Sequence, residues 1–331
     1  MPTLPMRARL SGLLLLAATS LVPMALIQPA LAQAPLKAAI IMPGPISDND
    51  FNAGGYNGIQ AVGRELGIEV AYSEQVSPAD AERVMRDYAS RGFGLIYAHS
   101  FSYGDATLAV AEDFPDVKFM TAVGQNLTEN VGAYFNPDYQ GAYLTGMLSA
   151  GASKSGVIGW VGGNPAPNML ANFHAWKAGA EEVNPEIKVM ISWLGAWFDP
   201  PKAKEAAIAQ VEQGADVLSA QSVGVIDAAV EKNVLVIGAV SDQNHMGPNS
   251  VLTSVLWNLA PVFVASAKTV VDGTWESKNW IYGIAEDSIS LADFHGLDVN
   301  VRPEVLAAVE QKFEDIKSGA FEVPLNTAMV Q

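Results

Sequence analysis

Cysteine is absent from the 331-residue sequence, and histidine occurs only 4 times. Without cysteine the chain can form no disulfide, no thiolate metal site and no thiol nucleophile. The histidines show no i, i+4 pairing, and the sequence contains no His-Glu-x-x-His, Gly-x-Ser-x-Gly or phosphate-loop motif. We therefore predict that the protein is not an enzyme, with no catalytic residues, no metal site and no cofactor.

Basic residues are also scarce, with 19 lysines and arginines against 35 aspartates and glutamates and a formal net charge of -16. An acidic surface of this kind repels nucleic acids and anionic lipid headgroups. It also serves solubility, and by itself it specifies no partner. We predict a soluble protein that does not bind nucleic acid.

The N-terminal segment has the pattern of an export signal. Arg7 and Arg9 precede an apolar run at 10–18, and residues 30–32 read Ala-Leu-Ala, the small-x-small pattern that precedes cleavage. A membrane anchor is the alternative, but two prolines and a glutamine interrupt the later apolar residues, and a span needs about 20 apolar residues. We predict that residues 1–32 are a removed signal peptide. In a Gram-negative host the mature chain, with no cysteine to carry a lipid, would be unanchored in the periplasm.

Short apolar runs alternate with segments of helical period from residue 37 onward. The first series leads from a strand at 37–42 to a strand at 117–122, and the second from a helix at 139–150 to a strand at 234–240. Alternating strands and helices at this spacing form parallel sheets with helices on both faces. The predicted fold is α/β, with two doubly wound parallel-sheet lobes joined by a hinge.

The late elements are predicted to be shared between the lobes. We assign residues 33–136 plus 257–276 to the N-terminal lobe, and residues 137–256 plus 277–331 to the C-terminal lobe. Ligands of doubly wound sheets collect at the carboxyl ends of the strands. The segments that follow each strand are therefore the candidate site, in the cleft between the lobes.

The richest of these segments follows the first strand. The five positions from Asp48 to Asn52 hold Phe51 and four acidic or amide side chains. One of these side chains can cap the following helix, which is the simplest interpretation. Because four exceed what a cap needs, a ligand-binding loop is favoured.

This loop resembles the Asp-x-Ser-Phe-Asn opening of the basic membrane protein family, the substrate-binding proteins of ABC transporters for purine nucleosides and related compounds. Asp50 replaces the serine of that motif, and Gly58 fits the helix that follows. The similarity continues through most of the chain, in the segments 114–119, 195–202, 213–217 and 241–243. The resemblance implies a type I periplasmic binding protein fold, with an ABC permease and its ATPase as partners.

Position by position, the resemblance implies that Phe51 and Trp197 sandwich a flat ring from opposite lobes. Asp48 and Asn52 would bind the ring edge, and Asp242 another polar group. Stacking suits a purine and is worth about 1–3 kcal/mol per base. Without the family context Trp197 reads equally well as a core aromatic residue.

The sequence departs from the family pattern at two places. Ala122-Val123-Gly124 stands where nucleoside binders carry an Asp after the fourth strand, and Val255-Leu256-Trp257 stands where they carry a Lys. Both of the missing groups belong to the family's ribose environment. A buried sugar hydroxyl without a partner costs about 1–3 kcal/mol. Trp257 offers an apolar face instead, so we predict a free purine base such as adenine, hypoxanthine or xanthine in preference to a nucleoside.

Two further candidates follow the third strand. Phe101 and His99 lie where they could contact a ligand, and we include Phe101 in the predicted site. A lone histidine after a strand is more often a loop residue with its hydrogen bonds satisfied.

Two other functions remain open on the sequence alone. An exported nucleoside hydrolase would use the Asp- and Asn-rich loop to bind a calcium ion or a ribose. A sensor subunit would present the same ligand to a membrane receptor instead of a permease.

Overall fold

The structure is a computed structural model that describes residues 1–3, 35–48, 51–124 and 126–330. Apart from its first three residues, the predicted signal peptide lies outside the described residues and stays a prediction. The chain divides into two units, Met1–Ala34 and Pro35–Gln331, and the second holds all of the secondary structure considered below.

Within the described residues, the first sheet contains six parallel strands in the order β2-β1-β3-β4-β5-β11. These are β1 (Lys37–Ile41), β2 (Glu69–Ser73), β3 (Leu95–Ala98), β4 (Lys118–Ala122), β5 (Val131–Phe135) and β11 (Asn279–Ile281). The helices that cover it are α1 (Phe51–Leu66), α2 (Ala81–Ser90), α3 (Gly104–Asp113) and α8 (Ala260–Val271). Because strand side chains alternate between faces, Ile40 joins a core with Ile59 of α1 and Phe263 of α8, while Ile41 joins another with Met85 of α2.

The second sheet has the order β12-β10-β9-β8-β6-β7, also counted over the described residues. Its strands are β6 (Val157–Gly162), β7 (Lys188–Trp193), β8 (Val217–Gln221), β9 (Leu235–Val240), β10 (Val251–Trp257) and β12 (Ile289–Leu291). Its helices are α4 (Tyr139–Ala152), α5 (Pro167–Val183), α6 (Pro200–Glu212), α7 (Val225–Lys232) and α9 (Pro303–Ser318). Trp160 packs with Trp176 of α5 and Val305 of α9, whereas Val161 packs with Ala203 of α6 on the opposite face.

The predicted architecture of two parallel-sheet α/β lobes is confirmed, but the sequence did not predict β5 or β12. β5 begins only nine residues after β4 ends, so no helix separates the two strands as the alternation requires. β12 has three residues and runs antiparallel to β10. Such a short apolar run in a polar stretch gives little periodic signal.

Among the described residues, the chain passes between the two sheets after β5, after β10 and between β11 and β12. The predicted boundaries place 257–276 in the N-terminal lobe and 277–331 in the C-terminal lobe. Trp257, however, ends β10 in the second sheet, and β11 pairs with β5 in the first. The last crossing therefore follows β11 and does not fall at residue 277. Strand pairing decides this, and a three-residue strand gives no sequence signal of its partner.

Hydrogen bonds tie these crossing segments to one another. The Tyr282 N–H donates to the Phe135 carbonyl at 3.2 Å, and the Asn258 N–H donates to the Ser288 carbonyl at 2.8 Å. The crossings thus form one connected region beside the carboxyl ends of both sheets, a suitable place for a hinge.

Candidate functional site

The loop between β1 and α1 is closed by its own side chains. The Gly44 N–H donates to Asn52 Oδ1 at 3.0 Å, and Asn52 Nδ2 donates to Asp48 Oδ2 at 2.6 Å. A Cβ at Gly44 would lie 2.6 Å from Asn52 Nδ2, so only glycine allows this approach. These hydrogen bonds hold Gly44, Asp48 and Asn52 together at the carboxyl end of the first sheet.

Asp48 accepts the free N–H groups at the start of α1. Its Oδ2 accepts from the Asn52 N–H at 3.0 Å and its Oδ1 from the Ala53 N–H at 2.9 Å. A carboxylate here satisfies two backbone donors and faces the positive end of the helix dipole. Capping, the simpler of the two interpretations of the sequence, therefore describes Asp48, and its contact with a ligand edge stays a prediction, as does that of Asn52. Asn49 and Asp50 lie outside the described residues.

Phe51 lies where the two lobes meet. Its ring stacks on the ring of His99 with centroids 3.8 Å apart and planes 11° apart. The ring of Trp257 meets it edge-on, with centroids 6.2 Å apart and planes at 75°. Since Phe51 starts α1 on the first lobe and Trp257 ends β10 of the second sheet, the pair forms an aromatic corner between the lobes.

His99 is completely buried directly after β3. Its Nε2 lies 2.8 Å from the Phe51 carbonyl, which can only accept a hydrogen bond, so Nε2 carries the proton. Nδ1 then accepts from the hydroxyl of Tyr134. Burial lowers the pKa of His99 to about 4, against weaker raising effects of the Phe51 carbonyl and Asp48, so the ring is neutral near pH 7.

Trp197 lies on the second lobe in the segment that follows β7, and its side chain is 63% exposed. The Gly195 N–H donates to the Gly163 carbonyl at 2.9 Å. A Cβ at Gly163 would lie 3.1 Å from Trp197 Cε3, so the indole lies against a residue without a side chain. An exposed aromatic ring at the carboxyl end of a sheet is available to a ligand. The sandwich of Phe51 with Trp197 stays a prediction, because the aromatic neighbours of Phe51 are His99 and Trp257.

Asp242 is paired within its own lobe. Its Oδ1 accepts from the Asn244 N–H at 3.1 Å, and its Oδ2 lies 2.8 Å from His295 Nε2. Burial acts to raise the pKa of Asp242, but these hydrogen bonds outweigh it and lower the pKa. The structure thus places Asp242 with His295, outside the aromatic corner, and its contact with a ligand stays a prediction.

Phe101 is 71% exposed and belongs to a short 3-10 helix, Phe101–Tyr103. Its ring lines an open cavity of about 270 Å³ with Asp105 of α3 and Thr121 of β4. The aromatic corner uses the other face of the sheet, since His99 packs against Gly55 of α1. The ring contacts of Phe51 are with His99 and Trp257, and the contact of Phe101 with a ligand stays a prediction.

Tyr134 is the residue of this region that the sequence did not indicate. It lies on β5, the strand that the alternation of strands and helices concealed, and its hydroxyl reaches His99 across the sheet. No local motif marks a tyrosine of this kind, because its role depends on the order β3-β4-β5 in the sheet.

The geometry offers stacking surfaces and hydrogen-bonding groups for binding. Within the described ranges, no group of three or more His, Asp or Glu side chains is arranged to hold a metal ion. A search of the same residues finds no helix that is long and apolar enough to cross a membrane. An aromatic corner between two hinged parallel-sheet lobes is the arrangement of a two-lobed substrate-binding protein.

Comparison with known families identifies this class more closely. Residues 36–326 match the family described as PnrA-like ABC transporter substrate-binding proteins. The chain belongs to this family, as the resemblance of the Asp48–Asn52 loop predicted.

Individual relatives cover most of the chain. A purine-binding protein of Brucella abortus is 34% identical over 293 residues, covering 87% of this chain and 83% of the relative. A putative ABC transporter glucose-binding protein of Haloferax volcanii is 33% identical over 252 residues, covering 75% and 64%. The solved structure of an ABC transporter solute-binding protein from Conexibacter woesei has a TM-score of 0.73 and 26% identity, covering 88% of this chain and 99% of that one.

Proposed function

We propose that this protein captures a purine in the cleft between its lobes and delivers it to an ABC importer. The observation that carries the proposal is the aromatic corner, in which Phe51 from one lobe meets Trp257 from the other. A flat heteroaromatic ring gains most from such surfaces, about 1–3 kcal/mol per stacked base. The purine-binding relative from Brucella abortus supports this ligand class.

A free base suits the cleft better than a nucleoside. The resemblance to the family implies that Trp257 and the run Ala122-Val123-Gly124 stand where its nucleoside binders carry a Lys and an Asp. Ala122 is buried and Trp257 is half-buried beside Phe51, so neither position presents a charged partner to a ribose. Leaving sugar hydroxyls unpaired would cost about 1–3 kcal/mol each.

Isothermal titration calorimetry with adenine, hypoxanthine, xanthine, adenosine, inosine and glucose tests this function. We expect at least one base to bind more tightly than its nucleoside, and glucose not to bind. Tighter binding of the nucleosides would keep the purine class and overturn the choice of the free base. Binding of glucose alone would overturn the purine class and agree with the relative from Haloferax volcanii.

Transport requires a permease, an ATPase and export of the chain to the periplasm. We expect the ligand-loaded protein to stimulate ATP hydrolysis by a reconstituted ABC permease and ATPase complex that takes up the same ligand. Stimulation by the ligand-free protein to the same extent would contradict ligand delivery. Mass spectrometry of the periplasmic fraction should find a chain that begins at Gln33, as the Ala-Leu-Ala pattern predicts.

A further inference from the structure

The two faces of the Phe51 ring are not equivalent. His99 covers one face at a centroid distance of 3.8 Å, with the rings nearly parallel. A flat ligand that stacks on Phe51 would therefore use the other face, and Trp257 contacts the same ring in a T-shaped arrangement with centroids 6.2 Å apart. His99, which lies behind the Phe51 ring, thus sets the orientation of the face on which a ligand would stack.

His99 is itself fixed from three directions. Its Nε2–H donates to the Phe51 carbonyl at 2.8 Å, and its Nδ1 accepts from Tyr134. A Cβ at Gly55 of α1 would lie 2.7 Å from His99 Cδ2, so the imidazole fits against the helix only because position 55 is glycine. The imidazole cannot shift without breaking one of these contacts, and Phe51 is held at both its backbone and its ring.

We infer that His99 is a positioning residue for ligand binding, which presents the free face of Phe51 in a fixed plane while Tyr134 fixes its tautomer. The inference rests on the proposed function, because it supposes a flat ring stacked on Phe51. An unsupported Phe51 ring would have to be ordered when the ligand binds. Ordering one mobile side chain on binding costs enough free energy to raise Kd about two- to tenfold.

The inference also gives a pH dependence. A protonated imidazole donates from both nitrogens, so Nδ1 could no longer accept from Tyr134. The other titratable groups near the ring are Asp48 before α1 and Tyr97, which neighbours Tyr134. Burial lowers the pKa of His99 to about 4 and raises the pKa of both tyrosines, so the tyrosines do not contribute on the acid side, and His99→Gln separates the effect of His99 from that of Asp48. Affinity for hypoxanthine, whose ring takes up no proton in this range, should be constant from pH 8 to 6 and fall towards pH 4.

The test compares three variants in calorimetric titrations with adenine and hypoxanthine. His99→Gln keeps a donor near the Phe51 carbonyl and removes the flat ring, whereas Tyr134→Phe removes only the hydroxyl that fixes the tautomer. Tyr88→Phe is the matched control, because its buried hydroxyl, 2.8 Å from Ser73 Oγ, belongs to the opposite face of the same sheet. Nitrogen-15 NMR of the imidazole in the ligand-free wild type reports the tautomer of His99.

We expect His99→Gln to raise Kd about three- to tenfold and to abolish the fall in affinity at acid pH. Tyr134→Phe should raise Kd less, and Tyr88→Phe should leave Kd unchanged. NMR should find the Nε2–H tautomer down to about pH 5. Purine binding by the wild type that is insensitive to His99→Gln at every pH would overturn the inference and leave the proposed function intact. A wild type that binds no purine would overturn the proposed function first.

Discussion

Trp197 is the residue for which sequence and structure make the most direct prediction. The indole is 63% exposed on the second lobe, against Gly163. If it closes over the ligand, Trp197→Ala removes a stacking surface worth about 1–3 kcal/mol and should weaken purine binding roughly tenfold or more. Calorimetry measures the change. Phe198→Ala, at the adjacent and 75% exposed ring, is the control for general effects on the segment. An unchanged affinity in Trp197→Ala would exclude Trp197 from the site.

Asp138 gives a prediction about stability. It lies buried at the start of α4, where Oδ2 accepts from Asn172 Nδ2 at 2.6 Å. Burial raises its pKa from 3.8 to about 7, against weaker lowering by its hydrogen bonds. The folded state therefore binds more protons than the unfolded state between about pH 4 and 7, and this group makes the free energy of unfolding fall as pH rises through that range.

Asp138→Asn keeps an oxygen that can accept from Asn172 and removes the titration. Chemical denaturation should find the variant more stable than the wild type by about 1–3 kcal/mol at pH 7.5, and of similar stability near pH 4. The opposing effect of neutral, buried His99 is present in both proteins and cancels in the difference. A difference that does not vary with pH would show that Asp138 does not titrate in this range.

Individual residues of the candidate site can be picked out from the sequence where the chain keeps them adjacent or where they end a strand. The loop from Asp48 to Asn52 contains its own hydrogen bonds, so its composition revealed it. Asp242 also follows a strand, but its pairing with His295 depends on a segment more than fifty residues away. That contact comes from tertiary packing, and no spacing in the sequence indicates it.

Among the helices, α1 is the element in which the capping role of Asp48 can be tested separately from its role in ligand binding. Asp48 accepts from the N–H groups of Asn52 and Ala53. Asp48→Ala removes both acceptors and should lower the free energy of unfolding by about 0.5–2 kcal/mol, whereas Asp48→Asn or Asp48→Ser keeps a capping oxygen and should cost less. Thermal denaturation measures the stability, and calorimetry on the same variants measures purine affinity.

The variants with a retained cap decide the role of Asp48. If the carboxylate binds the ligand edge, Asp48→Asn should lose affinity although it stays folded. If Asp48 serves only as a cap, the affinity of Asp48→Asn should equal that of the wild type. Equal stability of Asp48→Ala and the wild type would contradict the capping role that its two backbone hydrogen bonds indicate.

The elements that were easiest to predict from the sequence are the strands that are buried on both faces. Runs such as β1 and β6 are apolar because each strand faces helices on both sides, and this continuous burial is visible in the sequence. The partners of β11 were not predictable, since three residues that pair with β5 carry no mark of the sheet they join. The order of the strands is determined by their pairing in the folded sheet and not by the local sequence of each strand.

At the scale of the whole molecule, ligand binding should bring the carboxyl ends of the two sheets together. The crossings between the lobes are few and hydrogen-bonded to one another, so rotation about them disturbs neither sheet. Ser102, in the 3-10 helix after β3, and Val223, after β8, are both exposed at these ends. The absence of native cysteine allows Ser102→Cys and Val223→Cys to be labelled specifically in one chain.

Pulsed electron spin resonance between spin labels at these two positions should give a shorter distance when a purine is added. A pair on one lobe, Ser102→Cys with Val271→Cys at the end of α8, should keep its distance, because both positions belong to the first lobe. Trp197→Ala should reduce the closed population at a given ligand concentration, since closure is stabilised by contacts that the second lobe makes with the ligand. A constant distance between the lobes, with binding confirmed by calorimetry on the labelled protein, would mean that the ligand binds to one lobe alone. The aromatic corner of Phe51 and Trp257 would then be a fixed junction of the two lobes.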